Sequence, residues 1–153
     1  MLIKLGISAC LLGERVRYDG GDRRDGFLAE ELGRRVEYVA VCPEVGCGLP
    51  VPRDAMRLTG DPASPRLVTM DTGIDHTERL LSWASVRLKA MEAEGVRGFI
   101  FKARSPSCGV KEDMPGLFAR AFMERFPMLP VIDEEGIHDP EILKGFINRT
   151  FGG

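Results

Sequence analysis

The sequence predicts an α/β fold of three layers: a parallel sheet of about four to five strands with helices on both faces. Two observations carry that expectation. Short apolar runs rich in β-formers alternate with segments of helical spacing, the pattern of strand–helix–strand units around a parallel sheet. The length, 153 residues, fits one domain spanning 1–153, large enough to bury a core without a disulfide scaffold. The sheet expected is Rossmann-like, with the C-terminal ends of its strands gathered along one edge.

The elements follow in order. Leu2 to Ala9 is a short apolar run suited to a buried first strand, and it leads into Cys10 and a polar, Gly-containing loop. A short helix is expected over Phe27 to Arg34, with Asp25 as its N-cap. Val36 to Val41 is the second strand, and it runs straight into Cys42-Pro43-Glu44. Val45 to Gly73 is rich in Gly and Pro with no helical period; Met56–Thr59 and Arg66–Thr69 can pair as a hairpin around Gly60-Asp61-Pro62. Asp75 and Glu78, three residues apart, look like a capping box opening a long helix that Gly95 ends. Its apolar face would hold Ile74, Thr77, Leu80, Leu81, Ala84, Leu88 and Met91. Gly98 to Ala103 is the third strand, Gly116 to Arg125 a helix stopped by Pro127, and Leu129 to Ile132 the fourth strand. Asp139-Pro140, a cap followed by Pro at the first position, starts the last helix.

Composition narrows the function classes. Apolar residues make up 44% and charged residues 29%, with a formal net charge of −2 and no block of like charge. Neither nucleic acid nor an anionic membrane is expected as a partner. Met1 to Cys10 is too short and too soon followed by charge to read as a signal peptide, and the apolar runs fall short of the ~20 residues that span a bilayer. A cytoplasmic protein is therefore expected, and in that reducing compartment cysteines serve metals or catalysis more often than cross-links.

Three of the four cysteines hold equivalent places: Cys10 follows the first strand, Cys42 ends the second, and Cys108 lies just past the third. A shared strand edge would bring them together. Their flanks, SACLLG, CPEVGCG and SPSCG, are small and Gly- or Pro-rich, so backbone N–H groups can approach sulfur. Thiolates select zinc or iron–sulfur clusters over hard cations. The two histidines, His76 and His138, lie far along the chain from these loops. Spacing alone leaves three readings open: a shared metal site, buried inert thiols, or a redox pair. Cys42 and Cys47 form only a loose C-x4-C. No G-x-G-x-x-G or Walker loop follows any expected strand.

Across nearly its whole length the chain resembles the thiouracil desulfidase family. The likeness rests on Ser8-Ala9-Cys10-Leu11-Leu12-Gly13 with Val16-Arg17-Tyr18-Asp19-Gly20, on Cys42-Pro43-Glu44-Val45 with Gly48-Leu49-Pro50-Val51-Pro52-Arg53, and on Ser105-Pro106-Ser107-Cys108-Gly109. The resemblance implies a [4Fe–4S] cluster held by Cys10, Cys42 and Cys108, with one iron open to the sulfur of a thiolated heterocycle. It implies removal of that sulfur without net electron transfer, water taking its place and hydrogen sulfide leaving. Glu44 would be the acid/base carboxylate and Ser105 its partner hydroxyl. Arg17, Tyr18, Asp19 and Arg53, in the loops after the first two ligands, are candidates to orient the substrate; loop salt bridges are the plainer role. Such a cluster is oxygen-labile.

Two departures stand out. Cys47 occupies a position where relatives carry another residue; it reads as a spectator, the alternative being a fourth thiolate on the open iron. The C-terminal half, with Phe126-Pro127-Met128-Leu129-Pro130-Val131, Glu134-Glu135-Gly136 and Asp139-Pro140, is similar to a subgroup often fused to a second domain, which would begin near Phe151-Gly152-Gly153. The competing functions are a cluster-carrying sulfur or electron transfer module and a zinc-stabilised binding domain.

Overall fold

The computed structural model describes residues 2–110 and 114–152; Met1 and Gly153, the ends of the expected unit, lie outside the described residues. In chain order the strands are β1 (Ile3–Ser8), β2 (Val36–Val41), β3 (Met56–Thr59), β4 (Arg66–Thr69), β5 (Val96–Phe101) and β6 (Val131–Asp133). The helices are α1 (Pro43–Gly46), α2 (Thr77–Glu94), α3 (Leu117–Arg125), α4 (Glu134–Ile137) and α5 (Pro140–Phe151).

Four strands form a parallel sheet in the order β2-β1-β5-β6, and β3 and β4 form a separate antiparallel hairpin. The chain runs outward from β1 to β2, then crosses back to β5 on the other side of β1. That reversal opens a crevice beyond the C-terminal ends of β1 and β5, where such sheets bind ligands.

Side chains alternate between two cores. Leu5, Ile7, Ile100 and Ile132 pack with Leu28, Leu32, Ile137 and Phe146 on one face. Val41, Phe99 and Phe101 pack with Leu67, Leu80, Leu88, Met91, Phe118 and Phe122 on the other. The second core is aromatic: the Phe99 and Phe101 rings stack at 4.0 Å, with Phe118 and Phe122 edge-on to both. Each such ring stabilises the fold by roughly 1.5–3 kcal/mol through burial. Gly6 on β1 makes room for that layer, since a Cβ there would lie 2.2 Å from Cδ2 of Phe99. No helix among the described residues is long and apolar enough to cross a membrane.

Most expected elements form, with instructive shifts. The second strand and both hairpin strands have the expected bounds. The long helix starts at Thr77, so Ile74 lies outside it and is exposed, as Leu81 is. Asp75 and Glu78 make no capping box: both carboxylates grip Arg66 across the hairpin, at 2.7 Å for Asp75 and 2.6 and 2.8 Å for Glu78. The third strand begins at Val96 rather than Gly98, and the fourth covers Val131–Asp133 rather than Leu129–Ile132. The Phe27–Arg34 segment winds as a π-helical turn passing into a 3-10 turn, and Asp25 accepts the Leu28 N–H at 3.1 Å. Asp139 caps the last helix, accepting from the N–H groups of Glu141 and Ile142. Helices α1 and α4 are one turn each, too short to leave a periodic signal.

Candidate active site

A cavity of about 320 Å³ occupies the crevice at the strand ends. Cys10, Cys42 and Cys108 all line it, together with Glu44, Arg17, Tyr18, Arg53, Ser105 and Ser107. Each thiol is delivered by a strand end. Cys10 sits in the 3-10 turn Ala9–Leu12 directly after β1, and Cys42 leads into α1 after β2. Cys108 lies in the turn after β5, whose backbone Gly116 approaches so closely that a Cβ would be 2.4 Å from the Ser107 carbonyl carbon. The gathering of cysteines 32 and 66 residues apart is thus a product of parallel topology, as their positions suggested.

The three thiols are buried or nearly so. Burial pushes Cys10 up to about 11, against the opposing charges of Arg17 and Lys102. Burial raises Cys42 and raises Cys108 strongly; for Cys108 a hydrogen bond with Ser8 opposes the shift. Thiols so desolvated give up their protons readily only to a partner that brings positive charge, as metal ions do. Among the described residues, no three His, Cys, Asp or Glu side chains stand close enough to hold a single metal ion. Three thiols lining one cavity form a soft donor set, which fits a thiophilic metal centre such as an iron–sulfur cluster and not a hard cation.

Glu44 is held at both carboxylate oxygens. Nε of Arg53 donates to its Oε1 at 2.8 Å, and the Ser107 hydroxyl donates to its Oε2 at 2.8 Å. Both partners of the ion pair are largely buried, with side-chain exposures of 7% for Arg53 and 12% for Glu44. Arg53 also donates through Nη1 to the Pro50 carbonyl and through Nη2 to the Val16 carbonyl, at 3.1 and 2.8 Å. Its donors are thereby directed to protein groups, which favours the plainer role of loop salt bridge over that of substrate ligand.

Ser105 lines the cavity, but its Oγ accepts the backbone N–H groups of Ser107 and Cys108, both at 3.1 Å. It shapes the turn that presents Cys108 and still carries a hydroxyl hydrogen. Ser107, which carries no local signal in Ser105-Pro106-Ser107-Cys108, is the hydroxyl that contacts Glu44, a meeting made only by the fold. Arg17 lines the cavity with its Nε buried and without a hydrogen-bond partner among the described residues. Its guanidinium lies 5.7 Å from the centre of the Tyr18 ring at the cavity mouth. Asp19 is not among the lining residues: its carboxylate accepts the Gly21 N–H at 2.9 Å and closes a turn. Cys47 is likewise not a lining residue; its thiol donates to the Glu44 carbonyl at 3.2 Å and its side chain packs toward the aromatic core. Lys102, paired with Glu134 at 2.8 Å, and Arg104, paired with Glu135, complete the basic wall.

The family model described as 2-thiouracil desulfurase matches residues 5–134. A solved structure described as a [4Fe–4S]-dependent thiouracil desulfidase, TudS, is similar with a TM-score of 0.76 at 31% sequence identity, covering 94% of this chain and 97% of that one. None of the curated proteins matches.

Proposed function

The chain belongs to the 2-thiouracil desulfurase family, and on that premise we propose that it removes sulfur from a thiolated pyrimidine or related thioamide with a [4Fe–4S] cluster. The observation that carries this reading is the meeting, in one cavity, of three thiols from three strand ends with an oriented carboxylate. Cys10, Cys42 and Cys108 would hold the cluster, leaving one iron without a protein ligand. When bound, the cluster would supply Lewis-acid chemistry toward a thiocarbonyl sulfur.

The remaining work falls to protein groups. Glu44 takes a proton from the water that attacks the thiocarbonyl carbon and returns it to the departing sulfur or the ring. The carbon exchanges a double bond to sulfur for one to oxygen; the sulfur leaves as hydrogen sulfide with the two water hydrogens, and no electrons are transferred. Ser105, with its lone pairs engaged by the turn, donates its hydroxyl hydrogen toward the substrate. Arg17 and Tyr18, which line the cavity, orient and cover the heterocycle. A reducing compartment such as the cytoplasm suits the four free cysteines.

The test is anaerobic reconstitution with iron and sulfide, metal analysis, and assay of sulfide release from 2- and 4-thiouracil. About four irons per chain and release of one sulfide per substrate are expected. A chain that binds the cluster yet releases no sulfide from any thiopyrimidine or thioamide would overturn the catalytic reading.

A further inference from the structure

We propose that Ser107 is a positioning residue for the reaction, one that together with Arg53 fixes the Glu44 carboxylate relative to the cysteine thiols. The inference rests on the functional reading above and assigns a role to a side chain that reading leaves unused. A glutamate has three rotatable bonds, and immobilising it during the reaction costs rotamer freedom. At this site that freedom is removed in advance. Arg53 holds one carboxylate oxygen and Ser107 the other, both at 2.8 Å. The plane of the carboxylate is thus defined from two sides, and each oxygen keeps a lone pair for a water or a substrate proton.

Ser107 is well suited to this task. It is 1% exposed, so its single hydroxyl hydrogen does not exchange freely with solvent partners. Its backbone N–H is engaged by Ser105, and its carbonyl accepts the N–H groups of Phe118 and Ala119 at the start of α3, at 2.9 and 3.0 Å. With its backbone held on both sides, the side chain has a defined origin. Ser107 also immediately precedes Cys108, while Glu44 follows Cys42 by two residues. The bond between them therefore joins α1, after β2, to the loop after β5, across 63 positions of sequence. The carboxylate is tied at its backbone to one cysteine and at its tip to the neighbour of another. Its distance from the reacting carbon is then set by the same frame that sets the thiols, which is what proximity catalysis requires.

The experiment is a double-mutant cycle on the reconstituted protein with Ser107→Ala, Glu44→Gln and the double variant, measuring kcat, KM and iron content. Ser107→Ala is expected to lower kcat roughly 10- to 100-fold, the effect of losing a hydrogen bond to a charged group, with KM changed less than about twofold. Iron content should equal that of the unaltered chain. In the Glu44→Gln background the same Ser107→Ala change should have little further effect on kcat, since a residue acting through Glu44 has nothing left to position. Ser107→Cys, which keeps a weak donor, should recover part of the rate. If Ser107→Ala lowers kcat equally with and without Glu44, or lowers it only in proportion to lost iron, the positioning role is overturned and the desulfidase reading stands. If Glu44→Gln retains full activity, or the unaltered chain releases no sulfide, the functional reading falls and the role of Ser107 falls with it.

Discussion

The cavity contains two polar stretches with opposite designs. In the segment after β2, Glu44 on α1 has both oxygens engaged and Arg53 has three donors engaged, one to Glu44 and two to backbone carbonyls. In the loop after β1, Arg17 keeps a buried Nε with no partner among the described residues, and Tyr18 is 41% exposed at the mouth. The first stretch is tied together by its own side-chain hydrogen bonds; the second leaves Arg17 Nε unbonded. A group that must act on a reacting atom benefits from being held beforehand, whereas a group that recognises a ligand must leave hydrogen-bonding capacity unspent. Under the proposed function, the difference fits chemistry on the Glu44 side and recognition on the Arg17 side.

Substitutions can break that contrast, beginning with the frame on which both stretches depend. Cys108→Ser should abolish cluster assembly, read as loss of iron and of sulfide release together; full iron content with full activity would remove Cys108 from the site. Arg53→Ala comes next, because it leaves the Glu44 carboxylate largely buried and without its counterion. Breaking a buried pair in this way is expected to destabilise the chain by about 3–5 kcal/mol, measured as the free energy of urea unfolding. An unchanged unfolding midpoint would show that the pair contributes nothing to the fold.

Arg17→Ala should act differently, raising KM about tenfold with kcat within about twofold, as loss of one ligand hydrogen bond would. A fall in kcat at constant KM would instead place Arg17 with the chemistry. A smaller effect is expected far from the cavity, where Arg66 holds Asp75 and lowers its carboxyl from 3.8 to about 2. Because the folded value lies below the unfolded one, the stability it contributes is present above 3.8 and is lost as pH falls toward 2. Asp75→Asn should therefore lower the urea midpoint slightly at pH 7 and match the unaltered chain near pH 2; an equal difference at both pH values would rule out this linkage. Cys47→Ser should leave iron content unchanged, whereas a drop would make Cys47 a ligand.

Particular residues show how far each level of description reached. The parallel sheet was legible because its strands are apolar runs separated by helical patterns, and periodicity is a property of neighbours in sequence. The long helix was legible but not its start: Asp75 and Glu78 have capping-box spacing, yet both bind Arg66, nine and twelve residues away, and Asp75 accepts the Thr77 N–H at 2.9 Å in place of the Glu78 N–H that a capping box would use. Short α1 and α4 left no signal because one turn contains no period. Gly6 gave no hint that it accommodates the Phe99 ring, since that contact exists only once β1 and β5 are paired.

The site divides in the same way. Its parts were determined by the sequence alone: three cysteines after three strands, a carboxylate beside one of them, and motifs that are similar to one family. Which side chains meet was decided by the tertiary structure. Ser107 reaches Glu44 across 63 residues, Arg53 spends three donors on protein acceptors while lining the cavity, Asp19 closes a local turn, and Cys47 packs toward the core. The physical reason is that residue type and local spacing fix what a group is able to do, while the direction of a side chain and the partners left for it depend on packing between segments far apart in the chain.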